Sequence, residues 1–168
     1  MEQHFTILEA KLVSMPTYHF SINGSIKKVE TEADTPILYV LRDYLELNGP
    51  IYGCGLSQCG SCTVLVNGSA TTSCMLPVSS IGESEITTLE GLVSNNGKLH
   101  AVQQAFVKEQ AAQCGYCLNG MVMVAVGLLN KNPSPDDIEI KNALEGNLCR
   151  CGSHTRIIRA IKIAAKSL

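Results

Sequence analysis

Polar and apolar residues alternate from Tyr18 to Asn23, and a second short run, Ile26 to Val29, follows directly after Asn23-Gly24. Two such runs around Asn-Gly predict a β-hairpin with a type I′ turn, in which both turn residues take positive φ. Ile37, Leu38, Leu41 and Leu45 then recur at helical spacing, with Asp34 or Thr35 available as a cap and Pro36 at the first position. A glycine-rich loop runs from Asn48 to Gly60. Thr63 to Val66 reads as a strand, Asn67-Gly68 as a second hairpin turn, and a short strand leads into Cys74. Strands grouped around one helix imply a small α+β unit ending near Leu89.

Beyond Leu89 the period changes from two to that of helices. His100 to Ala112 predicts one helix, and Leu118 to Lys131 a second, closed by Asn132-Pro133. Pro135 opens a third that runs to about Glu145, with Asp136 and Asp137 in its first turn. Ser153 is placed to cap a fourth, carrying Ile157, Ile158, Ile161 and Ala165 on one stripe. Four short helices with short links predict a bundle. The expected division is therefore an N-terminal extension over residues 1–16, an α+β unit over 17–89 and a helical unit over 90–168. The stretch Glu90 to Lys98, rich in Gly, Ser and Asn, is expected to be the linker.

Composition adds one demand. Aromatic residues make up 5% of the chain and there is no Trp, so two small aliphatic cores need a further staple each. The net charge of −2 gives no reason to expect nucleic acid as a partner. No apolar run approaches the roughly 20 residues of a membrane helix, so no direct membrane insertion is expected. Met1-Glu2-Gln3-His4 has neither a basic nor an apolar leader character, which points to the cytoplasm, with membrane association only through a partner. Disulfides are rare in that compartment, and the 8 cysteines read as metal ligands.

Their spacing says which metal chemistry. The first set is Cys54-x4-Cys59-x2-Cys62 followed by Cys74, and its first three spacings are those of plant-type 2Fe–2S ferredoxins. Two irons need two thiolates each; one loop supplies three and a neighbouring strand end the fourth. Gly53, Gly55 and Gly60 let the loop wrap closely and aim N–H groups at sulfur. The second set is Cys114-x2-Cys117 and Cys149-x1-Cys151. All four are expected at helix termini, at one end of the bundle. A closed zinc site prefers two to four residues between paired ligands, which the single residue Arg150 does not provide. Structural zinc or plain buried thiols remain the blander alternatives at this point.

The run Cys54-Gly-Leu-Ser-Gln-Cys-Gly-Ser-Cys-Thr-Val-Leu-Val-Asn-Gly68, together with Gln113-Cys-Gly-Tyr-Cys117 and Gly146-Asn-Leu-Cys-Arg-Cys-Gly152, resembles the iron–sulfur subunit of the molybdenum hydroxylases, the xanthine oxidase family. Leu47-Asn-Gly-Pro50, Gln110-Ala-Ala-Gln113 and Leu118-Asn-Gly-Met121 narrow the resemblance to the nicotinate dehydrogenase and isoquinoline oxidoreductase branch. The resemblance implies a β-grasp ferredoxin domain followed by a four-helix-bundle domain, each holding one 2Fe–2S cluster. It implies a large partner subunit carrying molybdopterin cytosine dinucleotide, where a nicotinate-like N-heteroaromatic substrate is hydroxylated. It further implies that Gln113 and Cys151 lie against the pterin, and that electrons leave for a cytochrome-containing or flavin-containing acceptor. Residues before Met15 match nothing in the pattern.

Other residues carry plainer expectations. Met121 and Met123 read as core fillers. His4, His19, His100 and His154 are scattered and read as ordinary polar residues. Gln113 has an alternative role in satisfying a helix C-terminus. Arg156, Arg159, Lys162 and Lys166 read as a solvated helix face, with a partner contact as the alternative. Tyr116 and Arg150 sit between ligands and can pack on the second cluster or on the large subunit. The chain has no P-loop, no dinucleotide-binding glycine motif and no nucleophile–base constellation, so it is not expected to be catalytic alone. A free-standing two-cluster ferredoxin or redox sensor is the competing function, and a zinc-stabilised interaction domain is the third.

Overall fold

The computed structural model describes residues 15–168, so the expected extension, apart from Met15 and Pro16, lies outside the described residues. Strands β1 (Thr17–Ile22) and β2 (Ser25–Glu30) form the first hairpin, with Asn23 at φ 51° and Gly24 at φ 72°, as a type I′ turn requires. Strands β3 (Thr63–Val66) and β4 (Ser69–Thr72) repeat the device over Asn67 (φ 49°) and Gly68 (φ 76°). The two hairpins join through β5 (Glu85–Thr87), parallel to β1 and antiparallel to β3, in the order β2-β1-β5-β3-β4. At three residues, β5 is too short to carry a readable alternation.

Helix α1 (Ile37–Tyr39) continues as a π-helical turn over Val40–Tyr44. Neither Asp34 nor Thr35 caps it. Pro36 holds the N-cap position, and the first helical N–H groups donate instead to the backbone around Cys74: Ile37 to Leu76 O at 2.8 Å and Leu38 to Ser73 O at 3.1 Å. Those bonds satisfy donors a helix start leaves open, and they fix the turn that presents Cys74. Ile37, Val40 and Leu41 close one core with Phe20, Ile22, Val64 and Ile86. Leu38 turns the other way and packs with Cys62 and Cys74 in a small buried cluster of its own.

The second half is the expected bundle: α2 (Ala101–Lys108), α3 (Leu118–Lys131), α4 (Asp137–Ala143) and α5 (His154–Ala165). Met121 and Met123 are fully buried in its core, with Phe106, Ile157 and Ile161. Asp136 and Glu139 make a capping box at α4. Helix α2 stops four residues before the expected Ala112. Gln110 takes φ 49°, and the N–H groups of Gln110 and Ala111 return to Val107 O and Phe106 O at 3.1 and 2.9 Å. This is a Schellman ending with Gln where Gly usually stands, so nothing in the residue type announces it. Ser153 begins α5 without a side-chain cap bond.

The expected linker Glu90–Lys98 is anchored at its first residue, where the Glu90 carboxylate accepts from Gly49 N and Thr88 Oγ1, each at 2.6 Å. The basic face of α5 is exposed, as expected, and three of its side chains also have partners within the chain: Arg159 pairs with Glu109 of the α2 end at 3.0 Å, Lys162 with Asp137 at 2.6 Å, and Arg156 donates to Gln110 O at 3.3 Å. Exposed pairs of this kind contribute about 0–1 kcal/mol each, so their effect is mainly to orient α5.

His100 is the N-cap of α2: its Nδ1 accepts from Val102 N at 3.2 Å, and Gln103 Oε1 accepts from His100 N at 2.9 Å. Only an unprotonated Nδ1 can accept, and burial also holds the imidazole below its ordinary 6.5. The folded pKa is depressed, so the cap's stabilisation is present above the unfolded value and lost as pH falls through the folded one. Asparagine caps at any of these pH values. Between about pH 7.5 and about pH 5.5, the melting temperature of the native chain should therefore fall further than that of His100→Asn. Equal falls would show that the cap does not titrate.

Candidate metal centres

The loop that follows Pro50 places three sulfurs within reach of its own amides. Leu56 N and Gln58 N donate to Cys54 Sγ at 3.3 and 3.2 Å, Cys54 N to Cys59 Sγ at 3.4 Å, and Ser57 N to Cys74 Sγ at 3.3 Å. Ser57 (φ 56°), Gly55 (φ 67°) and Gly60 (φ 74°) all take the left-handed backbone that turns these amides inward. A Cβ on Gly53 would come within 2.6 Å of Cys59 Sγ, so that position has room only for glycine. The same amides act on acidity: donation from Leu56 and Gln58 brings the Cys54 thiol down to about 7. Cys62 moves the other way, raised by burial.

The thiols meet in pairs. Cys54 contacts Cys59, and Cys62 contacts Cys74. In the second set Cys114 contacts Cys151, and Cys117 contacts Cys149. Burial raises Cys117 to about 11, and its thiol donates to Cys149. Burial acts to raise Cys149, but the N–H groups of Ser153, Cys151 and Gly152 and the Cys117 thiol together bring it down to about 7. Cys114 is lowered, first by the Tyr116 N–H and then by the Cys151 thiol. Among the described residues no three His, Cys, Asp or Glu side chains converge on a point one ion could occupy. Pairing two by two is the donor pattern of a binuclear iron group, with two thiolates to each iron.

Helix ends deliver the second set less directly than the spacing implied. Cys117 is the N-cap of α3, whereas Cys114 lies six residues beyond the last residue of α2. Cys149 and Cys151 sit in the loop between α4 and α5. Gln113 is exposed and no helix terminus lies beside it, so the capping alternative is not realised. Tyr116 lines a cavity together with Cys114, Cys117 and Cys149, and its hydroxyl donates to the Tyr52 carbonyl in the other half. Arg150 lines the same cavity, of about 540 Å³, bounded by Cys54 and Cys59 of the first set and by Cys117 and Cys149 of the second.

The two sets are joined along a close seam. Leu148 N, beside Cys149, donates to the carbonyl of Cys59 at 3.1 Å. Asn119 of α3 is buried and gives both Nδ2 hydrogens across the seam, to Ser61 O at 2.8 Å and Thr63 O at 3.0 Å. Gly120 allows that approach, since a Cβ there would stand 2.1 Å from the Gly60 carbonyl oxygen. Ser57, Asn119, Gly120, Asn147 and Leu148 were not singled out from the sequence. The only signal was indirect: Asn119-Gly120 and Gly146-Asn147 lie inside the runs that carry the resemblance.

Comparison with known proteins agrees with this geometry. The family described as "2Fe-2S iron-sulfur cluster binding domain" matches residues 20–86, and the "[2Fe-2S] binding domain" family matches residues 88–162. One subunit of the nicotinate dehydrogenase of Pseudomonas putida is 52% identical over 151 residues, 90% of this chain and 96% of the relative. The alpha chain of isoquinoline 1-oxidoreductase from Brevundimonas diminuta is 46% identical, over 88% and 96%. The structure of quinoline 2-oxidoreductase from Pseudomonas putida 86 superposes with a TM-score of 0.86 at 35% identity, covering 92% of this chain and 96% of that one. The chain belongs to the family of 2Fe–2S small subunits of the molybdenum hydroxylases, in the branch of nicotinate dehydrogenase and isoquinoline oxidoreductase. It is an electron-transfer subunit of an oxidoreductase complex.

The seam makes Gly120 a test of which effect dominates. Inside a helix, Gly→Ala gains about 1 kcal/mol from propensity. Here the added methyl meets a backbone carbonyl that cannot rotate away, and overpacking of that kind costs about 1–3 kcal/mol. Gly120→Ala should therefore lower the melting temperature, measured by circular dichroism at fixed iron content. A raised melting temperature would mean the seam can open without loss.

Proposed function

We propose that this chain carries electrons from a molybdopterin site in a large partner subunit, where a nicotinate-like N-heteroaromatic substrate is oxidised, to a cytochrome-containing or flavin-containing acceptor. Cys54, Cys59, Cys62 and Cys74 hold one 2Fe–2S group, and Cys114, Cys117, Cys149 and Cys151 hold the other. Bound in this way, each group takes up and gives back one electron at a time. The division of labour follows residues 17–89 for the first site and 90–168 for the second. The cytoplasm is the proposed compartment; no helix among the described residues is long and apolar enough to cross a membrane.

The single observation that carries the reading is the hydrogen bond from Leu148 N to Cys59 O at 3.1 Å. Each end of that bond belongs to a ligand or to its immediate neighbour, so one hydrogen bond bridges the two thiolate sets. Gln113 and Cys114 are exposed on the bundle, which leaves them available to a partner's pterin, with Cys151 paired to Cys114 behind them. The first set is proposed to face the acceptor, because its loop presents Tyr52 and Leu56 to the outside. The identity with relatives that are themselves subunits supports this over a free-standing ferredoxin.

The sites should return about four irons and four acid-labile sulfides per chain after anaerobic reconstitution. Zinc without sulfide would overturn the assignment. In the assembled complex, Cys59→Ser should leave substrate able to reduce the second set in a single turnover while steady turnover collapses. Cys114→Ser should block reduction of both sets. Stopped-flow absorbance and freeze-quench EPR read the two outcomes, and the opposite pattern would reverse the order of electron entry and exit. In the same complex, oxygen from labelled water should enter the product beside the ring nitrogen; label arriving from dioxygen would exclude the proposed partner chemistry.

A further inference from the structure

We infer that Asn147 is a positioning residue whose Nδ2–H group donates into the first thiolate loop and raises the potential of the 2Fe–2S group held there; this rests on the function proposed above. Asn147 belongs to the loop of the second set, two residues before Cys149, yet its side chain lies across the seam. A Cβ on Gly60 would stand 2.1 Å from Asn147 Nδ2, so the amide occupies the space a side chain at position 60 would fill, between Cys59 and Cys62. The residue is 5% exposed, and its Nδ2 is buried without a hydrogen-bond acceptor among the described residues.

The backbone oxygens around it are already engaged. Gly60 O accepts from Thr63 N at 3.1 Å and Thr63 Oγ1 at 2.7 Å. Ser61 O accepts from Ile51 N at 3.1 Å and Asn119 Nδ2 at 2.8 Å, and Cys59 O from Leu148 N at 3.1 Å. A buried donor left without an acceptor is unfavourable, and such orphans in folded proteins have a cause. The acceptors that iron–sulfur binding adds to this loop are sulfurs carrying negative charge. N–H donation to them favours the more negative, reduced form and raises the potential. The placement separates this role from packing alone: an apolar side chain would fill the same space without donating.

The experiment uses the assembled complex and EPR-monitored redox titration, with iron and sulfide measured for every sample. Asn147→Leu keeps roughly the volume and removes the donor; Asn147→Ser keeps a smaller hydroxyl donor. At full iron content, Asn147→Leu should lower the potential of the first site by about 59 mV, a tenfold shift in its one-electron equilibrium. Asn147→Ser should shift it less, and the second site should hold its value. If Asn147→Leu does not retain iron, Asn147→Val, which removes the donor without adding charge, should shift the first site in the same direction. An unchanged potential at full iron content would overturn the inference, because the amide would then bond water or serve packing alone. A shift confined to the second site would overturn it as well. Absence of two iron–sulfur signals in the native complex would instead refute the proposed function, and is read before any variant is compared.

Discussion

The close approach of two backbones at Gly60 and Gly120 is the constraint on which the arrangement rests. A Cβ at either residue would collide with the opposite segment, at Asn147 Nδ2 in one case and at the Gly60 carbonyl in the other. With both Cβ atoms absent, Asn119 reaches two carbonyls of the first thiolate loop and Leu148 reaches a third. Each of these bonds is modest alone, about 0.5–1.5 kcal/mol, but they lie in a buried seam where a donor left unpaired costs more than a pair gains. The seam therefore does more to define the distance between the two sulfur sets than either core does.

Around that seam, each element serves the sulfurs by a different route. Helix α1 commits its first N–H groups to the turn at Ser73–Leu76 and buries Cys62 and Cys74 under Leu38. The loop after Pro50 supplies amides, and these hold Cys54 near neutrality in its acidity. In the bundle the helices supply position rather than amides: α3 begins at Cys117, and the link from α4 to α5 carries Cys149 and Cys151. Cys117 and Cys149 are shifted in opposite directions: burial, aided by donation to Cys149, raises the first, whereas in the second burial is outweighed by backbone N–H groups and the Cys117 thiol.

Much of this was legible in the residues. Asn-Gly turns and alternation gave both hairpins, helical periodicity with its start and stop residues gave the four bundle helices, and cysteine spacing gave the eight candidate ligands, because each is a local signal. What stayed hidden is non-local. Strand β5 is defined by its two neighbours rather than by its own three residues. The end of α2 depends on Gln110 adopting a left-handed φ that its residue type does not favour. Asn119 and Asn147 carry no signal of their own in sequence beyond lying in the runs that bear the resemblance, and only the fold brings them against the other half. The basic side chains of α5 are solvated as their pattern implies, but their surface pairing with Glu109 and Asp137 depends on elements distant in sequence.

The seam also bears on how the chain matures. The carbonyls of Ser61 and Thr63 receive Asn119 from 58 and 56 residues further along, and the donor to Cys59 comes later still, from Leu148. During synthesis the amino-terminal half emerges first and begins to fold while those donors are not yet made. At that stage its thiolate loop is open on the side the bundle will cover. The seam therefore cannot close until the carboxy-terminal half has been made, so the two sulfur sets take up their relative positions only late in synthesis.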